Sequence, residues 1–527
     1  MGRRSLVLAF IFILSFFGLG LHLYRLQVKL GVNVLAQQNR NFLDNVLRGP
    51  IFFTDKNNTK VLAAINKEYP LVYVVPKEVG DVVYFSSKMS QVTGKSEAEI
   101  SKLLNNRESL YASLVWKPTE VQLQAIRDLN LKGLYIKNQM ARFYPFGDLA
   151  ASLLGFIGFS EKDNELLGRY GVEKFYEGKL MQAEDNEINL TIDRNIQAQA
   201  REILEDLLKT YKSSQGAIIV QEPKSGKILA MENRPSFDPN NYGDSDLKTF
   251  LNPAVQAQYE PGSVIKIITM AIGLSTGKIT PETTYVDRGE ITLDGKTIKN
   301  WDHKAYGRVS LSNIIEKSIN TGAVFVENKI GHKDFYKGLR KFGFGEISGV
   351  DLLGELRGSL NNLERKAASD LDYATASFGQ GMALTPLQLI NAVSVIANHG
   401  LLMRPYVRED LGEKLIRQVI SKEVARAITD MMVSAVDKAE LAAIPNYSVA
   451  GKTGTAQIPD FVRGGYSDKF IHTYVGFAPA YDAKFAVLIK LDNPQGAAVA
   501  AQTVVPAFRQ MSQFLLNYYN IPPDRLP

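Results

Sequence analysis

Ser263 and Lys266 stand three residues apart in the stretch Tyr259-Glu260-Pro261-Gly262-Ser263-Val264-Ile265-Lys266. A hydroxyl beside an amine is a nucleophile beside a base. The Pro261-Gly262 pair punctuates the chain, and an apolar run with helical spacing follows it. The pattern predicts that Ser263 sits at or next to the first turn of a helix, with Lys266 on the same face. Backbone N–H groups there lack intrahelical partners and the helix dipole is positive, a setting that stabilises a developing oxyanion. Alone the pattern is weak, since about two Ser-x-x-Lys matches are expected by chance in a chain of this length. It recurs at Ser275-Thr-Gly-Lys278, where Gly277 and Pro281 end the helix and the residues read as a turn.

Two downstream pieces give Ser263 company. Ser318-Ile-Asn320 follows a helical stretch from Leu311 to Lys317, 55 residues after Ser263. Lys452-Thr453-Gly454-Thr455 comes 134 residues later still, in a strand that Ile458-Pro459 ends. Gly451 and Gly454 are unusual inside a strand unless another backbone approaches closely, and a ligand peptide laid along the strand edge would need such room. Ser359-Leu-Asn361 repeats the middle pattern among Gly358 and Asn362 and reads as surface loop.

The order Ser-x-x-Lys, Ser-x-Asn, Lys-Thr-Gly is far more specific than any member. With Asn320-Thr-Gly-Ala323, Gly379-Gln-Gly381 and Gly451 beside it, residues 213 to 520 resemble the penicillin-recognising serine transferases. The resemblance implies Ser263 as acyl-ester nucleophile, Lys266 as its base and Ser318 as proton relay to the leaving amine. It implies further that Asn320 holds the substrate amide, that Lys452 raises the local positive potential, and that Thr453 and Thr455 bind the donor carboxylate. The N–H groups of Ser263 and Thr455 would form the oxyanion hole, with Gly454 between the two threonines. A lysine with a pKa of about 10.4 is a poor base at neutral pH. Burial and a second cation such as Lys452 would depress it. Strand parity puts Thr453 and Thr455 on one face and Lys452 on the other, so the strand must be twisted or presented at an edge.

The elements that carry these residues come next. With 527 residues and 45% hydrophobic content the chain can build several domains. Cysteine is absent and the five histidines are scattered, which argues against disulfides, a metal centre, a cofactor-ligating cluster or a His triad. A net charge of +6 without basic runs interleaved with aromatics argues against nucleic acid. Arg3-Arg4 precede a run from Ser5 to Tyr24 free of Asp, Glu, Lys and Arg. About twenty such residues cross a bilayer core as a helix, and no Ala-x-Ala cleavage site follows, so residues 1–28 read as a transmembrane anchor. The rest is expected outside the cytoplasmic membrane. Residues 29–200 read as a mixed α/β pedestal, with a strand at Leu71–Val75 and helices at 97–106 and 119–129. Residues 213–520 read as an antiparallel sheet with packed helices: a hairpin from Gly216–Val220 and Ile228–Met231, then helices, then strands after 445. Thr385-Pro386-Leu387-Gln388 has the N-cap, first-turn proline and capping-box glutamine of a core helix. The fold class is α+β.

Arg48-Gly-Pro-Ile51 with Asp55, Arg142 with Tyr144-Pro145, and Gly171-Val-Glu173 are similar to the short motifs of the pedestal (the dimerisation-type domain) of monofunctional, class B penicillin-binding proteins. Glu184-Asp185 and Glu205-Asp206 lack the following aromatic expected of a glycan-polymerising domain. Ser318-Ile-Asn320-Thr-Gly and Ala376-Ser-Phe-Gly-Gln-Gly-Met resemble the septal, FtsI-like type and its sporulation relative more than the elongation type. The implied activity is a D,D-transpeptidase that cross-links peptidoglycan stem peptides and is acylated by β-lactams, partnered by a membrane glycan polymerase of the division machinery. A D,D-carboxypeptidase or β-lactamase-type hydrolase, and a catalytically silent β-lactam sensor or scaffold, are the competing readings.

Overall fold

The computed structural model describes residues 18–19, 48–159, 166–460 and 463–525. Apart from residues 18–19, the expected anchor lies outside the described residues, among which no helix is long and apolar enough to cross a membrane.

The pedestal is built on one five-stranded sheet of β1 (Ile51–Thr54), β2 (Val61–Val74), β3 (Ala112–Trp116), β4 (Leu134–Phe143) and β5 (Ile188–Asp193). Its distal half pairs β3 and β4 with β2 and carries α1 (Val82–Thr93), α2 (Glu97–Leu104) and α3 (Glu120–Asp128). Ser96 with Glu99 and Thr119 with Gln122 form capping boxes that start α2 and α3. Val72, Val74, Phe85, Met89, Ile100 and Ile126 make a separate small core there. The proximal half runs β1 parallel to β5, and here the three short sequence words converge. Arg48 Nε donates to Glu173 Oε2 at 2.5 Å, Arg142 Nε to Glu173 Oε1 at 2.7 Å and the Tyr144 hydroxyl to the same oxygen at 3.2 Å. Burial alone would raise the Glu173 carboxyl, but the fields and hydrogen bonds of Arg142 and Arg48 outweigh it and hold the group below its ordinary value.

The second unit is a sheet in the order β8-β9-β10-β6-β7, with every pair antiparallel: β6 (Gln215–Gln221), β7 (Ile228–Arg234), β8 (Ala450–Pro459), β9 (Tyr466–Ala478) and β10 (Phe485–Asp492). Strand alternation divides its side chains between two layers. Ile218, Val220, Val487 and Ile489 face α4 (Arg194–Tyr211) and α10 (Val504–Tyr518). Ile219, Ala486, Leu488 and Val475 face the main helical layer, which holds α5 (Ile265–Ser275), α6 (Leu311–Glu316), α7 (Asn320–Ile330), α8 (Pro386–Ala397) and α9 (Lys422–Ala439). The expected capping box of α8 is present, with Thr385 accepting from the Gln388 N–H and Pro386 in the first turn. Every residue of that helix is buried.

The proximal pedestal and the second unit share one continuous apolar core that includes Ile51, Leu153 and Ile188 on one side and Ile267 and Leu488 on the other. Polar ties reinforce the seam. Tyr144 and Asn240 exchange two hydrogen bonds of 2.9 Å, Thr191 N–H donates to Val407 O at 2.8 Å, and Tyr176 donates to Asp351 at 2.6 Å.

Removing one partner of a buried ion cluster strands the others. Glu173→Ala leaves Arg142 without a counter-ion and Arg48 with Glu177 alone, and is expected to lose about 3–5 kcal/mol in denaturant unfolding. Because the carboxyl is held low, its contribution is present above the ordinary carboxylate pKa and fades as pH falls through the depressed value. The wild-type and Glu173→Ala stability curves should therefore converge in acid.

Candidate active site

The turn that carries Ser263 is tighter than an ordinary helix start. Gly262–Val264 form one 3-10 turn, and α5 begins at Ile265. Two neighbours close on this turn, and glycine lets each approach. A Cβ on Gly454 of β8 would lie 2.7 Å from the Pro261 carbonyl oxygen, and one on Gly379 would overlap the Gly262 carbonyl. The Gly262 N–H also donates to Gly379 O at 3.0 Å. The close approach expected at Gly454 thus comes from the protein's own backbone rather than from a ligand peptide, and at Gly451 the space is taken by the Tyr474 hydroxyl. Ser263 is half-buried, and its hydroxyl has no hydrogen-bond partner among the described residues.

Lys266, one turn on, is fully buried. Its Nζ lies 2.5 Å from the Ser318 carbonyl oxygen and 3.1 Å from Ser318 Oγ. Lys452, 4% exposed, reaches the same hydroxyl from the other side. Its Nζ donates to Ser318 Oγ at 3.1 Å, to Thr453 O at 3.0 Å and to Thr453 Oγ1 at 3.3 Å. Two amines therefore share one hydroxyl, and no carboxylate forms an ion pair with either among the described residues. Burial, then the charge of Lys452, pushes Lys266 well below the usual lysine range. Burial brings Lys452 down to about 7. Neutral Lys266 can accept a proton, and Ser318 Oγ is placed to pass one along.

The parity problem is met by β8 being the sheet's edge strand, with Thr453 and Thr455 half-buried while Lys452 is buried. Thr455 Oγ1 accepts from the Ala500 N–H at 3.2 Å, so its own proton remains for an acceptor. Asn320, the first residue of α7, donates from Nδ2 to Lys299 O at 2.8 Å, which leaves one N–H and Oδ1 for another partner.

Ser318 holds its place at a backbone cost that sequence reasoning does not reach. The Ile319 N–H bonds to Ile314 O at 3.0 Å and the Ser318 N–H to Ile315 O at 3.3 Å, the two bonds of a Schellman ending for α6. Glycine is the usual residue at that left-handed position, yet here serine adopts φ 55°. Glu260, in the flanking word Glu260-Pro261-Gly262, accepts from the Gly381 N–H at 2.9 Å and from the Tyr466 hydroxyl at 3.0 Å, tying the Ser263 turn to the Gly379-Gln-Gly segment, a tie that the sequence does not show. Ser359 does not lie in a loose loop; it exchanges both backbone hydrogen bonds with Ala383. Ser275 ends α5 and Gly277 takes φ 68°, the expected turn.

A cavity of about 510 Å³ opens between Tyr111 and Trp116 of the pedestal and Tyr242 of the second unit, beside Arg48, Arg142 and Tyr144, and none of Ser263, Lys266, Ser318, Asn320, Lys452, Thr453 and Thr455 lines it. Among the described residues no group of His, Asp and Glu is arranged to hold a metal ion.

The strain at Ser318 is testable apart from chemistry. Ser318→Gly should be more stable than Ser318→Ala by about 1 kcal/mol in denaturant unfolding, because only the alanine must hold a left-handed backbone. That reverses the ordinary helical ranking of the two residues. An alanine variant at least as stable as the glycine variant would remove the strain argument.

Known proteins match both units of the chain. A family model described as "Penicillin binding protein transpeptidase domain" matches residues 216–512, and one described as "Penicillin-binding Protein dimerisation domain" matches residues 44–221. The chain is 32% identical to stage V sporulation protein D of Bacillus subtilis over 88% of this chain and 77% of that one. It is 31% identical to peptidoglycan D,D-transpeptidase FtsI of a Buchnera aphidicola strain over 76% of this chain and 74% of that one. The crystal structure of a peptidoglycan synthetase from Bifidobacterium adolescentis shares the fold with a TM-score of 0.67 at 23% identity, over 92% of this chain and 97% of that one. With a transpeptidase domain set on a dimerisation domain, the chain belongs to the class B penicillin-binding proteins.

Proposed function

We propose that the chain is a serine D,D-transpeptidase that cross-links peptidoglycan stem peptides through an acyl-enzyme on Ser263. The observation that carries this reading is the buried pair Lys266 and Lys452 meeting at Ser318 Oγ, with Lys266 one helical turn from Ser263, whose hydroxyl has no partner among the described residues. Neutral Lys266 takes the Ser263 proton as Oγ attacks the carbonyl of the donor's penultimate D-Ala. Ser318 passes a proton to the departing amine, so the peptide bond breaks with release of the terminal D-Ala. The amine of a second stem then attacks the ester and regenerates Ser263. Lys452, Thr453 and Thr455 hold the donor carboxylate along the edge of β8, with Gly454 giving the Ser263 turn its clearance, and Asn320 holds the stem amide. The N–H groups of Ser263 and Thr455 receive the oxyanion, each such donor contributing roughly 10²–10³ in rate. β-Lactams enter as donor mimics that leave the ester unresolved.

The cellular setting belongs to the same proposal. Residues 1–28 form a single-pass anchor in the cytoplasmic membrane, and the pedestal over 29–200 lifts the transpeptidase domain, 213–520, towards the wall. Motif wording and likeness to FtsI favour a septal role beside a membrane glycan polymerase of the division machinery; likeness to the sporulation protein favours a related use in the same branch.

Incubation with a labelled penicillin and peptide mapping should place the adduct on Ser263. Ser263→Ala should abolish labelling while unfolding stability stays within about 0.5 kcal/mol of wild type, since the serine has no partner to lose. An added D-amino acid should divert the acyl-enzyme from hydrolysis to transfer, whereas hydrolysis alone would favour the carboxypeptidase reading. The charge of Lys452 helps hold Lys266 low, so Lys452→Met should raise the pKa of Lys266. The acid limb of the acylation–pH profile then moves to higher pH, and an unmoved limb would contradict Lys266 as base.

A further inference from the structure

A buried polar knot lies directly behind the second motif, in the excursion between α5 and α6. Asp287, Asn300 and Thr321 are 2%, 1% and 6% exposed. Asp287 Oδ1 accepts from the Thr321 hydroxyl at 2.6 Å and from the Gly289 N–H at 2.9 Å. Its Oδ2 accepts from Asn300 Nδ2 and from the Tyr306 N–H, both at 2.9 Å. Asn300 Oδ1 in turn accepts from the Thr321 N–H at 3.3 Å, serving one of the N–H groups that every helix start leaves open. Asn300 Nδ2 also reaches Lys304 O at 2.9 Å, and the Tyr285 hydroxyl lies 3.0 Å from Thr321 Oγ1. Hydrogen bonding outweighs burial and keeps the Asp287 carboxyl below its ordinary value, so all four acceptor sites are met by donors on a charged group.

Two chain segments leave this knot side by side. One is the end of the hairpin Glu290–Leu293 with Lys296–Lys299, whose last carbonyl, at Lys299, receives Asn320 Nδ2. The other is the start of α7, where Thr321 directly follows Asn320. Asp287 therefore fixes both the backbone of Asn320 and the acceptor that orients its carboxamide. We propose that Asp287, acting through Asn300 and Thr321, is a positioning residue that aims the Asn320 carboxamide at the amide of the acyl donor. The inference rests on the reading of Asn320 as the group that holds that amide. It predicts a loss confined to donors that carry the amide, because donors without one have nothing for Asn320 to hold.

The test compares acylation rates of the full chain with two donors: a penicillin bearing an acylamino side chain, and the penam nucleus without it, followed by competition against a labelled penicillin. Asn320→Ala should slow only the first. Thr321→Val and Asp287→Asn should do the same, by about tenfold or more, as expected when a binding group is displaced by a fraction of an ångström. Thr321→Ser keeps the hydroxyl and should restore the rate. If Asp287→Asn does not fold, the Thr321→Val and Thr321→Ser pair carries the comparison. Equal losses with both donors in Thr321→Val would make the knot merely structural and overturn the inference. So would a selective loss in Asn320→Ala without one in Thr321→Val. If Asn320→Ala itself fails to discriminate the donors, the role of Asn320 falls first and the inference falls with it.

Discussion

Two lysines buried around one serine hydroxyl, with no carboxylate among the described residues paired to either, set the terms for the rest of the catalytic domain. An ammonium taken out of water without a counter-ion is so unfavourable that the group gives up its proton instead. Placing a second amine nearby makes double protonation worse still. Lys266 on α5 and Lys452 on β8 come from opposite sides of the site, so helix and strand must be held at a fixed distance for each amine to feel the other and reach Ser318. The full burial of α5 from Ile265 to Gly273 supplies the helix side of that requirement. The strand side comes from β8 lying against the Ser263 turn, at a separation that only glycine at 454 permits.

The hydroxyl between the amines is held by a different means. Ser318 occupies the position where a helix ending in a Schellman motif would ordinarily have glycine, and the left-handed backbone turns its carbonyl oxygen and its side chain towards Lys266 together. Such strain persists only where surrounding bonds over-determine it. Here the constraint comes from α6 on one side and from the knot around Asp287 on the other, which pins the first turn of α7 two to three residues later. Local instability at Ser318 is thus offset by a dense set of buried hydrogen bonds that contains no catalytic group.

The order of the three motifs, the hairpin of β6 and β7 and the capped core helix α8 are all legible, because each leaves a local mark: a spacing, a period or a cap; that β8 lies at the sheet's edge is not, since parity alone allows a twisted strand as well. What could not be read is whatever depends on two distant segments meeting. The glycine of Lys-Thr-Gly looks like a feature for a ligand until the structure shows the Pro261 carbonyl packed against it. Asp287 and Asn300 sit in an unremarkable polar stretch, and no period or motif distinguishes them from surface residues. The 3-10 turn at Ser263 differs from a plain helix start by a small change in winding that composition does not encode. In the pedestal the short words were visible, but only their convergence on Glu173 explains why two arginines, a tyrosine and a glutamate should recur so far apart.

That convergence also bears on how the two units act together. Arg48, Arg142 and Glu173 lie in the half of the pedestal whose apolar core continues into the catalytic layer, while the distal half has a core of its own. Tyr144, a member of the cluster, bonds through both backbone groups to Asn240 in the loop that follows β7, and β7 closes the sheet opposite β8. Sliding at that seam would expose apolar surface and break paired polar groups together. The ion cluster sits in the half of the pedestal that shares its core with the catalytic layer, and β2 carries the sheet from that half into the distal one.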